Sequence, residues 1–274
     1  MTDSFFVIKG VRIRYRDSGG QGPAVLMTHG IGESLEFWHR QFDDLAPSLR
    51  LIAWDMPGHG LSDESADAMS LEGQAGVAWQ LLDQLGVERV HLVGNSLGAA
   101  MSLRMADQMP ARVGSLVLAN SAALGPEVFG AFKLMTLRWL GELMNKPGPT
   151  AVAQQIKAIV LRPDAITPQV RTAIERNVRR PGAAAHFLKQ LRGMTTLRGQ
   201  REAVWTRSHQ ILKGLKVPTR IVHGEQDVVL PIAHSVTAHG LCSGSELVRL
   251  QDCGHTPQLE QPKVFNALLR KWLL

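Results

Sequence analysis

The five residues Gly94-Asn95-Ser96-Leu97-Gly98, set directly after the apolar run Val90 to Val93, restrict the fold of this chain more than any other stretch. A serine at the tip of a sharp strand-to-helix turn sits on strained backbone. The helix that follows passes so close behind it that small residues are required two places before and two places after. From Ala99 to Met109 the chain carries helix formers with apolar residues at helical spacing. The pattern predicts a strand, a nucleophile elbow and a helix in immediate succession.

Strand-like runs recur along the chain with helical stretches between them, the signature of a mostly parallel sheet covered on both faces. Phe5 to Ile8 and Val11 to Tyr15 flank Lys9-Gly10 and read as an opening hairpin. Ala24 to Met27, Leu51 to Ala53, Val90 to Val93, Val113 to Leu118, Thr219 to Val222 and Leu247 to Leu250 read as the central strands, giving eight in all. Leu71 to Leu85 and Gln261 to Leu274 have clear helical periodicity. The stretch from Ala122 to Leu215 contains no convincing strand and is broken at Lys146-Pro147-Gly148-Pro149 and Arg180-Pro181-Gly182. It is expected to be a helical cap, residues 122–215, inserted into a core formed by 1–121 and 216–274.

A chain of 274 residues is long enough to bury a core without disulfides or metal. Hydrophobic residues make up 45% and charged residues 20%, and no apolar run approaches the roughly 20 residues that span a bilayer. The start, Met1 to Lys9, lacks the build of a signal peptide. A cytoplasmic protein with no membrane association is expected, as a monomer or homodimer. Cys242 and Cys253 fall in no CxxC or metal-ligand spacing and read as buried thiols. The net charge of +6 is unevenly spread: Ala122 to Lys216 holds 16 Lys and Arg against 5 Asp and Glu, the remainder 14 against 19. Solvated helix faces account for this, although a basic cap could also favour anionic substrates. Aromatics at 5% with no interleaved basic run argue against nucleic-acid binding.

A serine hydroxyl needs a base to take its proton and an acid to orient that base. His255 follows the last strand in Asp252-Cys253-Gly254-His255, and Asp227 lies just past another in His223-Gly224-Glu225-Gln226-Asp227. Ser96, Asp227 and His255 each fall at the carboxyl end of an expected strand, where open α/β sheets bind ligands. Asp252 reads as a turn residue, and Glu225 stands too near its strand to reach freely. The backbone N–H groups of Leu97 and of Ile31, in His29-Gly30-Ile31-Gly32, are the expected oxyanion donors. Gly30, Asn95, Trp38, Leu124, Trp139 and Val228 are the candidate substrate contacts.

These motifs, together with Asp55-Met56-Pro57-Gly58-His59-Gly60-Leu61-Ser62-Asp63, stand in an order that resembles the cap-bearing α/β-hydrolases of the serine type over nearly the whole chain. The resemblance implies a structural role for the Asp55 to Asp63 turn, and serine in the elbow differs from the aspartate of haloalkane dehalogenases and epoxide hydrolases. Asn95 and Leu124-Gly125-Pro126 also resemble the hydrolases that cleave carbon–carbon bonds in ring-fission products of aromatic catabolism. Those enzymes usually carry a tryptophan after the histidine, where this chain has Thr256, and an asparagine where it has Arg40. The expected activity is hydrolysis of a carboxylic ester or similar small acyl substrate through an acyl-enzyme. The alternatives are carbon–carbon hydrolysis, cofactor-free peroxidation by the same residues, and a ligand-binding receptor on a hydrolase fold. No metal, nucleotide or organic cofactor is implied, because there is no phosphate loop or metal cluster.

Overall fold

The structure, a computed structural model, describes residues 2–274. Eight strands form one sheet: β1 (Ser4–Ile8), β2 (Val11–Asp17), β3 (Ala24–Thr28), β4 (Arg50–Trp54), β5 (Val90–Asn95), β6 (Val113–Ala119), β9 (Thr219–Gly224) and β10 (Glu246–Leu250). Their order across the sheet is β1-β2-β4-β3-β5-β6-β9-β10. β1 and β2 pair antiparallel, β2 joins β4 antiparallel, and every later pairing is parallel. The carboxyl ends of β3, β5, β6, β9 and β10 therefore lie along one edge.

Both faces of the sheet are covered, as the continuous apolar runs of its inner strands require. Alternate residues of β3 show the division: Leu26 packs on one side with α2 (Leu71–Gln84) and α3 (Leu97–Gln108), through Leu81, Leu82, Met101 and Met105. Val25 and Met27 pack on the other with α1 (His39–Leu45) and the C-terminal helix, through Phe42, Phe265 and Leu269. At the antiparallel margin, buried Arg14 is bound by Glu36 at 2.6 Å, Asp3 at 2.8 Å and Asp55 at 3.1 Å. The Asp55 carboxylate also accepts the Leu35 and Leu61 N–H groups, so the Asp55 to Asp63 turn is locked beside the carboxyl edge.

Between β6 and β9 the chain forms α4 (Gly130–Met135), α5 (Arg138–Met144), α6 (Pro149–Ile159), α7 (Pro168–Arg179), α8 (Ala183–Met194) and α9 (Glu202–Gly214). The proline-glycine breaks at 146–149 and 180–182 coincide with the gaps before α6 and α8. One expectation is corrected: Thr195–Thr196 (β7) and Gly199–Gln200 (β8) pair as a two-residue antiparallel hairpin. Strands this short carry no periodicity that a sequence reading could detect. α9 packs against α3 and against α10 (Ile232–Leu241), and its Ile211 and Leu212 join the main core. α11 (Pro257–Glu260) and α12 (Pro262–Leu273) close the chain. Among the described residues, no helix is long and apolar enough to cross a membrane.

Candidate active site

Ser96 stands between β5 and α3 with φ 55° and ψ −117°, a left-handed conformation that a residue with a side chain rarely adopts. The surroundings enforce it. The Ser96 N–H donates to the Ala119 carbonyl at 2.9 Å, and Asn95 Nδ2 donates to that carbonyl at 3.2 Å and to the His255 carbonyl at 3.0 Å. A Cβ at Gly94 would collide with the backbone of Gly98 and Ala99, and one at Gly98 with the carbonyls of Thr28 and His29. The two glycines are thus required by close backbone approach. Ser96 occupies the N-cap position of α3 but makes no capping bond, which leaves its hydroxyl for the cavity in front of it.

Asp227 and His255 meet at this edge from the loops after β9 and β10, with His255 Nδ1 2.8 Å from Asp227 Oδ2. The carboxylate is fully engaged: Oδ1 accepts the Val229 and Leu230 N–H groups at 2.7 and 3.1 Å, and Oδ2 also accepts Asn120 Nδ2 at 2.7 Å. Burial opposes its charge, but His255, His223 and Asn120 outweigh that and hold its pKa below the usual carboxylate range. Burial likewise opposes protonation of His255, yet the Asp227 charge and hydrogen bond, with Glu33 and Glu260 nearby, hold its pKa above the ordinary imidazole value. Glu225 pairs instead with Arg249 at 2.9 Å. Asp252 is an exposed turn residue at φ 52°.

Asn120 and His223 are functional candidates that the sequence reading did not single out. Asn120, fully buried at φ 43°, donates to both Asp227 and the Gly254 carbonyl and accepts the Gly224 N–H at 3.3 Å. It ties β6, β9 and the His255 loop together. His223, also fully buried, contacts Ser235 Oγ at 2.7 Å and the Leu230 carbonyl at 3.0 Å, beneath Asp227. Burial lowers its pKa, against the opposing charge of Asp227, whose Oδ2 lies 3.5 Å from its Nε2. An asparagine at the end of β6, level with Ser96 across the paired strands, was the available signal.

The Ile31 and Leu97 N–H groups have no acceptor among the described residues, and both residues border the space beside Ser96. Leu97 opens α3, whose first N–H groups have no intrahelical partner and point positive dipole toward the serine. Ser96, Ile31 and His255 share a cavity of about 580 Å³, whose far wall comes from α4 to α8, with Phe132, Met135, Met144 and Phe187 among its apolar lining. Val228 lines it as well.

The remaining expected substrate contacts lie elsewhere. Asn95 is fully buried and acts as a strut to His255, Trp38 is in the core with Phe265, and Leu124 is buried on the other face of the sheet. Trp139 is 72% exposed and faces solvent. Gly30 gives its N–H to Glu33 Oε2 at 2.7 Å and presents no lining surface. Arg40 is exposed, and Thr256 is buried with its hydroxyl on the Ile159 carbonyl at 2.9 Å, a tie between the His255 loop and α6. Three of the basic side chains of the 122–216 segment are bound outside the cavity. Arg176 pairs with Glu36 at 3.0 Å, Arg192 with Glu142 at 3.0 Å, and Arg180 donates to the carbonyls of Ser62 and Gly58. The charged or titratable side chains that line the cavity are Glu33, His255 and the exposed Lys157.

A mostly parallel eight-stranded sheet with a serine elbow after its fifth strand is the architecture of the α/β-hydrolases. The chain belongs to the alpha/beta hydrolase fold family, whose pattern it matches over residues 23–262. It is 31% identical to an uncharacterized protein of Mycobacterium tuberculosis, over 99% of this chain and 81% of the relative. It is 27% identical to a 2-hydroxy-6-oxononadienedioate/2-hydroxy-6-oxononatrienedioate hydrolase of Comamonas testosteroni, over 97% and 92% of the two chains. In structure it resembles a thermophilic esterase from Thermogutta terrifontis, with a TM-score of 0.78 and 23% identity over 100% of this chain and 98% of that one.

Asn120→Gly keeps the backbone conformation while removing both donors. Loss of a hydrogen bond to a charged group is worth about 1.5–3 kcal/mol, so turnover should fall roughly 10- to 100-fold. The readout is kcat on an ester, with a melting curve to verify folding; a change below about threefold would show that Asp227 is oriented without Asn120.

Proposed function

We propose that this chain is a serine hydrolase of carboxylic esters or similar small acyl substrates, working through an acyl-enzyme. The observation that carries the reading is the Asp227–His255 hydrogen bond on the same cavity as Ser96 and the unpaired Ile31 and Leu97 amides. In this reading Ser96 Oγ attacks the substrate carbonyl and His255 Nε2 takes its proton. The two amides receive the oxyanion, a contribution of roughly 3 kcal/mol for each donor. The imidazolium is steadied by Asp227 and returns its proton to the leaving alcohol. A water molecule then gives a proton to His255 as it attacks the acyl carbon, and His255 returns that proton to Ser96 Oγ as the ester bond to the serine breaks and the acid leaves. Ser96 Oγ has no hydrogen-bond partner among the described residues, which is compatible with a contact that tightens when substrate arrives. α4 to α8 act in this proposal as the cap, and the protein is proposed to be cytoplasmic and to need no cofactor.

The second reading, carbon–carbon hydrolysis, is favoured by the name of the Comamonas relative. The carboxylate of an acidic dienone calls for a cationic partner, and Lys157, an exposed residue, is the one lysine or arginine among the lining residues of this cavity, which also holds the acid Glu33. Apolar side chains and two amides are what a plain ester needs, so the ester reading stands first. A panel of 4-nitrophenyl esters set against a 2-hydroxy-6-oxo-dienoic acid separates the two by kcat/KM. Higher values for the esters are expected, and preference for the dienoic acid by orders of magnitude would reverse the order.

The base must be unprotonated to act, so activity should rise with pH as His255 loses its proton. Because Asp227 raises that pKa, the acid limb of the kcat/KM profile should lie above the ordinary imidazole value. Asp227→Asn should move the limb to lower pH and reduce turnover by up to roughly 10⁴-fold. A limb that stays in place in the variant would mean that His255 is not the group being titrated.

A further inference from the structure

Glu33 is the buried acid of this site that the proposed mechanism leaves unused. It follows the loop that carries the Ile31 amide, is 2% exposed, and lines the cavity that holds Ser96 and His255. Its Oε2 accepts the Gly30 N–H at 2.7 Å, while Oε1 has no hydrogen-bond partner among the described residues. The carboxyl lies close over Gly30, where a Cβ would stand 3.0 to 3.2 Å from both of its oxygens, so glycine leaves the room that it occupies. The neighbouring elements hold the loop without neutralising the acid. Asn177 of α7 donates to Ser34 Oγ at 2.9 Å, Gln155 of α6 to the Gly32 carbonyl at 3.3 Å, and Arg176 is bound to Glu36 at 3.0 Å. Lys157, an exposed residue, lines the same cavity, and the charge that acts on Glu33 is that of His255.

The free oxygen is not sealed in the core but belongs to a side chain that lines the space a substrate would enter, where it can accept a hydrogen bond. We infer that Glu33 is a specificity-determining residue of this pocket: it selects uncharged acyl esters that present a hydrogen-bond donor such as a hydroxyl, and it rejects substrates that carry a carboxylate. The inference rests on the hydrolase reading above and names its substrate class. Burial pushes the Glu33 carboxyl up to about 7, against the opposing effects of the Gly30 N–H and His255. Rejection of carboxylates therefore strengthens as pH rises through neutrality and Glu33 becomes charged. Of the Arg and Lys excess of the surrounding helices, Arg176, Arg192 and Arg180 are bound outside the cavity, and Lys157 is the one lysine or arginine among its lining residues.

Three methyl esters of one chain length test it: methyl hexanoate, methyl 6-hydroxyhexanoate and monomethyl adipate, compared in the wild type and in Glu33→Gln. The amide keeps an acceptor for the Gly30 N–H and removes the charge, and a melting curve verifies that the variant folds. At pH 8 the wild type should hydrolyse the hydroxy ester with kcat/KM at least about tenfold above the adipate ester, from Coulomb repulsion at close range in a partly desolvated site. Glu33→Gln should narrow that gap at least about tenfold, mainly through KM of the adipate ester. Titration of His255 cancels in the ratio of the two esters, so the wild-type ratio should change around pH 7 and the variant ratio should be flat. An equal effect of Glu33→Gln on all three esters would show a merely structural role and overturn the inference, as would a wild-type ratio independent of pH. If Ser96 reacts with a fluorophosphonate but the hydroxy ester is not hydrolysed, the assigned substrate class is wrong and the hydrolase reading survives. If Ser96 is not labelled and no ester is hydrolysed, the hydrolase reading fails and this inference with it.

Discussion

The strained backbone of Ser96 is the constraint around which the rest of this molecule is arranged. A left-handed serine costs on the order of 1–3 kcal/mol and persists only where its neighbours over-determine it. Here they do so from four directions: the Ala119 carbonyl of β6, the Asn95 side chain that also reaches the His255 carbonyl, and the two glycines at which α3 crosses β5 and β3. The same contacts that enforce the turn fix the spacing between the serine and the histidine loop. Asn120 repeats the arrangement one strand further on, holding Asp227 and the Gly254 carbonyl together. The edge of the sheet thus holds Ser96, Asp227 and His255 through backbone carbonyls and two buried asparagines.

The cavity adds a second level of organisation. Helices α6 and α7 do more than cover the edge, since they are bonded to the loops that form it. Thr256 reaches the Ile159 carbonyl, Glu260 accepts the Leu161 N–H at 2.7 Å, and Asn177 and Arg176 engage Ser34 and Glu36. Burial against Glu36 is offset by the hydrogen bonds and charges of Arg176 and Arg14, which hold its carboxyl far below the usual range. Helices α6 and α7 are therefore joined to the sheet-edge loops by charge-assisted bonds at the site's rim, while the cavity wall is largely apolar, with Asn145, Gln154, Gln155, Lys157 and Asn177 lining it beside Glu33 and His255. That contrast is the physical basis for assigning small, uncharged acyl substrates to it.

The sheet is legible in the sequence because its inner strands are short apolar runs separated by helices, and the ends of those runs point to Ser96, Asp227 and His255 as neighbours along one edge. Side-chain direction was not legible. Asn95 sits beside the serine in the chain but points under the site, Trp38 and Leu124 turn into the two cores, and Trp139 faces solvent. Adjacency along the chain does not decide which face a residue presents, and that depends on register. Asn120 became visible only once β6 was paired with β5 and β9. Glu33 reads as an ordinary loop residue until the packed loop encloses it. The β7–β8 hairpin had no pattern to read at all.

The central claim is that Ser96 attacks an acyl group and carries it covalently. Rapid mixing with a 4-nitrophenyl ester, quenching in acid within milliseconds and mass spectrometry of the digested protein tests this most directly. The account predicts the mass of one acyl group on the peptide that contains Ser96 and none in Ser96→Ala. Release of nitrophenol with no adduct on that peptide, or with the adduct on another residue, would contradict it.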